Sequence, residues 1–290
     1  MYAIDSTTKL YPTYILSDES AQAQLEIVPE RGGLVTHWRI GDREILYFDA
    51  ERFANPEQSV RGGIPILFPI CGNLPDNTYT YNGNTYTLKQ HGFARDLPWT
   101  VGESKTDRHA SLTLELASSP QTRAVYPFDF HLAFTYRLQG NSLEIIQRYT
   151  NPSDDQILPF SCGLHPYFNV PDKSQLRVNL PSKQYWDQLD GTLHDFDNHF
   201  NFDREEIDVA FTQLNSHTAS VYDRKRGLTL NIEYSTPFST LVFWAVQGKD
   251  YYCLEPWSAP RNALNTGDRL IHVHPRSSLE MLVRLDVHLD

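Results

Sequence analysis

Leu241-Val242-Phe243-Trp244-Ala245-Val246, the turn Gln247-Gly248-Lys249-Asp250 and Tyr251-Tyr252-Cys253-Leu254-Glu255-Pro256-Trp257 read as one β-hairpin. Both arms are apolar on both faces, so the pair belongs at the buried centre of a sheet. Pro256 has no N–H to give to a ladder, which predicts that the second strand stops there. Glu255 is then a lone carboxylate at the end of an apolar run. Such a group is costly to bury unless something pairs with it or uses it. Trp257 beside it offers a flat apolar surface of the kind on which sugars stack.

Outward from this hairpin, alternation of period two recurs. Leu112, Leu114 and Leu116 alternate with Thr113 and Glu115, and Leu132, Phe134, Tyr136 and Leu138 repeat the pattern. After the turn Gln139-Gly140-Asn141 a return strand runs through Leu143, Ile145 and Tyr149. Leu228, Leu230, Ile232 and Tyr234 form another set, and Leu279, Met281, Val283, Leu285 and Val287 share one face near the C-terminus. Strands with one apolar and one wetter face suit antiparallel sheets. Asn82-Gly83 between Tyr/Thr-rich arms predicts a tight hairpin over 78–88. Helical periodicity is confined to short pieces around Glu51-Arg52-Phe53 or Arg204-Glu205-Glu206, and the stretch Asp187 to Asp208 fits no element. No repeat or linker divides the chain, so the expectation is one all-β domain of packed antiparallel sheets over residues 1–290.

Aromatic residues make up 12% of the chain, with 16 Tyr and 15 Phe, which favours strands. The net charge of −11 argues against nucleic acid or an anionic membrane as partner. No apolar run approaches the roughly 20 residues of a membrane helix. The start Met1-Tyr2-Ala3-Ile4-Asp5-Ser6 lacks the basic and apolar regions of a signal peptide. Cys71, Cys162 and Cys253 are widely spaced in apolar surroundings and read as small buried hydrophobes. A reducing, cytoplasmic compartment is the expectation.

Four polar constellations carry candidate chemistry. Arg61-Gly62-Gly63-Ile64-Pro65 places a cation before two glycines that let backbones approach closely. Lys89-Gln90-His91-Gly92-Phe93-Ala94-Arg95 gathers cations, an amide and an imidazole, and Arg95 offers a planar fork of donors. Leu164-His165-Pro166-Tyr167-Phe168 sets an imidazole in an apolar run. Leu254-Glu255-Pro256-Trp257 supplies the carboxylate, followed by the loop Ser258 to Gly267. Each alone also reads as ordinary loop or core. His272 and His274 alternate on a strand, but no further ligands stand at a recognisable spacing, so no metal or cofactor is expected.

Together, and in this order, the four segments resemble the aldose 1-epimerase (galactose mutarotase-like) superfamily, nearest to its glucose-6-phosphate 1-epimerase, or hexose-6-phosphate mutarotase, branch. The resemblance runs from about Leu25 to the end. It implies a large antiparallel β-sandwich, Glu255 as general base and His165 as general acid. It implies that His91 bonds the sugar near its ring oxygen and that Arg61, Gln90 and Arg95 bind substrate, including a phosphate. It also matches Asp187, loosely, to an aspartate that bonds sugar hydroxyls. The chain departs from the phosphosugar branch at Pro166, where Thr or Ser often follows the His, and at Cys71-Gly72-Asn73, where an aromatic is common.

The chemistry fits the residue types. Anomer exchange needs a base at the C1 hydroxyl and an acid at the ring oxygen. A carboxylate near 4.3 and an imidazole near 6.5 supply both, without cofactor or metal. The expected partner is a small sugar or sugar phosphate, and the expected state a monomer or weak dimer. Three other readings stay open: a mutarotase of free aldoses, a catalytically silent carbohydrate-binding sandwich, and a glycoside hydrolase. The last needs a second carboxylate near Glu255.

Overall fold

Alternating apolar side chains arrange the chain as short strands in three principal sheets and two small ribbons. The computed structural model describes residues 1–290. A five-stranded meander comes first, from Tyr2–Thr8 through Pro12–Asp18, Ala23–Val28 and Leu34–Ile40 to Arg43–Glu44. An eight-stranded sheet holds Ser278–Leu289 near its middle, between Leu228–Tyr234 and Ser142–Thr150. The second eight-stranded sheet is centred on Glu206–Phe211, Thr240–Val246 and Tyr251–Trp257. The pairings between strands are antiparallel, as the alternation predicts.

One hydrophobic cluster of 62 buried residues joins these sheets. Leu112, Leu114, Phe134, Ile145, Leu230 and Val283 enter it from one eight-stranded sheet, and Ile207, Val209, Phe243, Tyr252 and Leu254 from the other. Each such side chain removed from water contributes about 1.5–3 kcal/mol. Because the side-chain period of a strand is two, the intervening residues of the Glu255 sheet face the other way. Glu206, Asp208, Val242, Trp244, Cys253, Glu255 and Trp257 therefore share the opposite face.

The hairpin over 78–88 forms as expected, with Tyr81 paired to Asn84 and Asn82 and Gly83 at φ 48° and 77°. A helix at Ala50–Ala54 answers the short helical signal there, capped by the Asp49 carboxylate accepting from the Arg52 N–H at 3.0 Å. Arg204-Glu205-Glu206 is not helical: it bends into the strand Glu206–Phe211. The unassigned stretch holds the end of the strand Gln184–Asp187 and the strand Thr192–Asp195. A helix at Pro120–Val125, with a capping box between Ser119 and Thr122, carries no apolar periodicity long enough to announce it.

The strand of Glu255 does not stop at Pro256. It continues to Trp257, with Leu241 opposite Pro256 and Thr240 opposite Trp257. On its other side the partner strand is broken in two. Gly163–Leu164 pairs Gly163 with Trp257, and Tyr167–Asn169 pairs Tyr167 with Cys253. The register is the same on both sides of the break, so His165 lies opposite Glu255, with Pro166 opposite Leu254 and Leu164 opposite Pro256. Both prolines fall where no ladder N–H is demanded, which is why Pro256 sits within a central strand.

Candidate active site

The polar face of this sheet floors a cleft of about 350 Å³. Glu255, His165, His91, Tyr167, Asp208, Trp244 and Trp257 line it, with Arg52, Arg61, Gln90, Arg95 and Arg261 around them. The six site residues singled out in the four sequence constellations, Arg61, Gln90, His91, Arg95, His165 and Glu255, all line this one cleft.

His165 Nε2 lies 3.4 Å from Glu255 Oε1, the cross-strand contact that the shared register produces. The other carboxylate oxygen, Oε2, accepts from the Trp257 indole N–H at 3.0 Å, which fixes the plane of the carboxylate. The His165 ring stacks on Tyr167 with centroids 4.8 Å apart and 10° between planes. Glu255 is 1% exposed and His165 8%, so both would carry charge only against a desolvation penalty. Burial pushes the Glu255 carboxyl well above the usual carboxylate range. Nearby Asp208 adds to this, against the Trp257 hydrogen bond and the Arg261 and Arg95 charges. Burial, with Arg95 next, pulls His165 down to about 3. The expectation of an ordinary imidazole is therefore corrected: its apolar setting and the neighbouring guanidinium keep it neutral.

His91 has φ of +66° and presents its ring to the cleft from a tight turn. The backbone N–H of Gly72 donates to His91 Nδ1 at 3.1 Å, and the His91 N–H donates to the Gly72 carbonyl at 2.7 Å. Burial and the Arg95 charge hold its pKa well below 6.5, so the ring is neutral. With Nδ1 accepting, the proton sits on Nε2 and makes it a donor. Gly72, at φ +70°, lets the Arg261 side chain pass: a Cβ there would come within 2.3 Å of Arg261 Cγ. Gly62 and Gly63 serve close approach, as their spacing suggests, against Phe48 Cα and the Val35 carbonyl oxygen. The buried Arg31 holds the preceding rim by donating to the carbonyls of Asn55 at 2.9 Å and Gln58 at 2.7 Å.

The cations differ in how they are held. Arg95 donates Nη2 to the Gln90 carbonyl at 2.8 Å. Arg61 is exposed, its guanidinium 5.9 Å from the centre of the Trp244 ring. Arg261 bridges Asp208 Oδ2 at 2.7 Å and Asn73 Oδ1 at 3.0 Å.

Asp187 is not brought to the cleft. Its carboxylate is fully buried, paired to Arg204 Nη2 at 2.7 Å and accepting from the Leu189 N–H at 2.9 Å. Those bonds satisfy it inside the turn that follows its strand. Asp208 takes the place in the cleft, accepting from Gln188 Nε2 at 2.7 Å as well as from Arg261. The signal for it lies in Glu206-Ile207-Asp208-Val209, where two acids alternate with apolar residues and so share one face. Arg52, Trp244 and Arg261 were also missed as cleft residues. His272 and His274 are exposed and lie apart from this lining. No helix is long and apolar enough to cross a membrane.

Comparison with known proteins follows the same lines. The family model described as aldose 1-epimerase matches residues 14–278. A solved structure from Synechocystis sp. PCC 6803 is 48% identical, covers 100% of both chains and superposes with a TM-score of 0.95. A galactose mutarotase-like protein from Clostridium acetobutylicum is 20% identical over 100% of this chain and 99% of its own, with a TM-score of 0.85. A Salmonella typhimurium protein named "Putative glucose-6-phosphate 1-epimerase" is 29% identical over 161 residues, 55% of this chain and 50% of its own.

Proposed function

Because the chain belongs to the aldose 1-epimerase family, we propose that it interconverts the α and β anomers of a hexose 6-phosphate, with Glu255 and His165 as the proton-transferring pair. The observation that carries this reading is the pair itself, 3.4 Å apart on the floor of a cleft ringed by arginines. The name of the Salmonella relative points to the same substrate.

Ring opening moves one proton from the C1 hydroxyl to the enzyme and one from the enzyme to the ring oxygen. The pair therefore ends with as many protons as it began with. A pair bearing one proton is acid and base at once, and the two groups titrate as a unit. The pair's single proton passes between the two groups across their 3.4 Å contact; with it on His165, Glu255 takes the C1 proton and His165 gives its own to the ring oxygen. The open aldehyde turns about C1–C2, and the reverse transfers close it on the other face. The fixed proton of His91 Nε2 supplies a hydrogen bond near the ring oxygen. Asp208, oriented by Arg261, accepts from sugar hydroxyls. Trp244 and Trp257 give apolar surface to the sugar's C–H faces.

Arg61 and Arg95 favour a phosphate. Neither forms a salt bridge with the protein's own carboxylates, and the chain as a whole carries −11, so these cations are a local departure from the prevailing sign. The test is anomer exchange by NMR on glucose 6-phosphate, glucose and galactose side by side, with the spontaneous rate subtracted. Acceleration greatest for the phosphate supports the proposal. Acceleration of free sugars alone moves the arginines to hydroxyl contacts. No acceleration with any sugar refutes the catalytic reading in favour of a binding module.

A further inference from the structure

Beneath the catalytic pair lies a third group that anomer exchange does not use. Cys253 precedes Glu255 by two residues on the same strand, so its thiol points to the same face. The side chain is buried against Tyr167, Tyr251 and Trp244. A ligand atom from each of His165, Cys253 and Glu255 lies within 4.8 Å of the others. All three residues are buried, Cys253 and Glu255 on one strand and His165 in the break of the strand beside it.

We propose that His165, Cys253 and Glu255 form a site for a thiophilic divalent cation, zinc first among them, whose occupancy excludes the sugar. Tetrahedral zinc holds sulfur at about 2.3 Å and nitrogen or oxygen at about 2.0–2.2 Å, which sets its ligand atoms roughly 3.3–3.8 Å apart. The 3.4 Å between His165 Nε2 and Glu255 Oε1 already meets this, and the other spacings, at most 4.8 Å, would have to close by up to about 1–1.5 Å. The donor set of one imidazole, one thiolate and one carboxylate suits a borderline-soft ion better than magnesium or calcium, which prefer oxygen alone. Three protein ligands leave a fourth position, and the cleft lies on that side. The Trp257 indole stays on Glu255 Oε2 and orients the carboxylate toward the ion. Binding displaces the thiol proton and the single proton of the Glu255–His165 pair, both of which leave to solvent as the metal bonds form. The same ion ties up both proton-transferring groups, so it acts as an inhibitor of the pair rather than as its cofactor.

The test uses the full-length, chelator-treated protein. Cobalt(II) reports thiolate ligation directly, through a sulfur-to-metal charge-transfer band in the near ultraviolet, and zinc binding is followed by calorimetry. Wild type is expected to take up one equivalent of cobalt with this band, and zinc is expected to displace it. Cys253→Ala should lose the band and bind zinc at least tenfold more weakly, while its metal-free anomer exchange stays unchanged. Cys71 and Cys162 remain in that variant, so loss of the band assigns it to Cys253. A wild-type complex without the band overturns the proposal, and so does zinc affinity that is unchanged in Cys253→Ala. The first of these results needs no variant. The spectrum reads metal binding whether or not the protein turns over a sugar, so failure here is separable from failure of the mutarotase reading.

Discussion

Replacing Glu255 by Gln should raise the stability of the fold while removing its activity. Burial holds the folded-state pKa of Glu255 well above the ordinary value of 4.5. Below that ordinary value the carboxyl is neutral in both folded and unfolded chains, and it contributes nothing to pH dependence. As pH rises from 4.5 to the folded pKa, the unfolded chain ionises first, and the fold loses stability relative to it. Above the folded pKa the loss is complete. Gln is nearly isosteric and still offers an oxygen to the Trp257 N–H, now 3.0 Å from Glu255 Oε2, so it removes the buried charge and keeps the contact. Relieving a functional site of this kind gains about 1–2 kcal/mol. With an unfolding entropy of about 2.1 cal/mol/K per residue over 290 residues, each kcal/mol moves Tm by about 1.6 °C. The expected gain at neutral pH is therefore about 2–3 °C.

Calorimetry at neutral pH and again below pH 4.5 separates this from a packing effect, since the advantage of Gln should vanish in acid. Anomer exchange should fall by about 10²–10⁴-fold, the usual worth of a positioned proton-transfer group. A Gln variant no more stable than wild type at neutral pH, or equally advantaged at both pH values, would refute the claim that the buried charge is what destabilises. A variant of undiminished turnover would remove Glu255 from the chemistry.

Three further outcomes follow from the same geometry. Activity as kcat/KM should be bell-shaped in pH. The acid limb falls near 3, where a second proton enters the pair at His165, and the alkaline limb lies above 4.5, where the last proton leaves Glu255. An activity level from acid to strong alkali contradicts the one-proton pair. Trp257→Phe removes the hydrogen bond that lowers the Glu255 pKa, so the alkaline limb should move to higher pH; a limb that stays in place shows that this bond does not tune the pair. Arg95→Ala should raise KM for glucose 6-phosphate about tenfold or more, in keeping with about 1.5–3 kcal/mol for a hydrogen bond to a charged group, and leave free glucose nearly unaffected. Equal effects on both substrates would take Arg95 off the phosphate.

How much of this was legible in the chain depends on which interactions set each feature. Periodicity of two exposes strand faces, so the all-β architecture and the central hairpin could be read from Leu241 to Trp257. The site residues on or beside short motifs, such as His165 and Glu255, could be read because each stands out as polar in an apolar run. Asp187 and Asp208 could not be told apart in the same way. Asp187 ends its strand and Asp208 lies within the strand paired beside it, and tertiary contacts decide between them: Arg204 and the Leu189 N–H satisfy one, while Arg261 turns the other to the cleft. The pKa of His165 was equally out of reach, since it follows from burial by residues distant in sequence. Pro256 misled for a local reason. A proline argues against a central strand only if the neighbouring strand is continuous, and here it is interrupted at His165-Pro166.

That interruption also explains how a buried ion-forming pair is tolerated in the middle of a sheet. In a strand the residues at odd and even positions answer to different surroundings. Tyr252 and Leu254 face the main core with Phe243 and Val209, while Glu255 and Trp257, on the opposite face, line the cleft. The hydrophobic burial that holds the strand in place is thus carried by residues that never meet the substrate. The desolvation penalty falls on residues that the core does not need. Because the register on both sides of the break is fixed by the flanking pairs, His165 is held opposite Glu255 even though their own side chains are poorly solvated there. A change of charge at Glu255 then alters the chemistry and the stability without altering the scaffold, whereas a register slip of one residue would exchange the two faces and destroy both together.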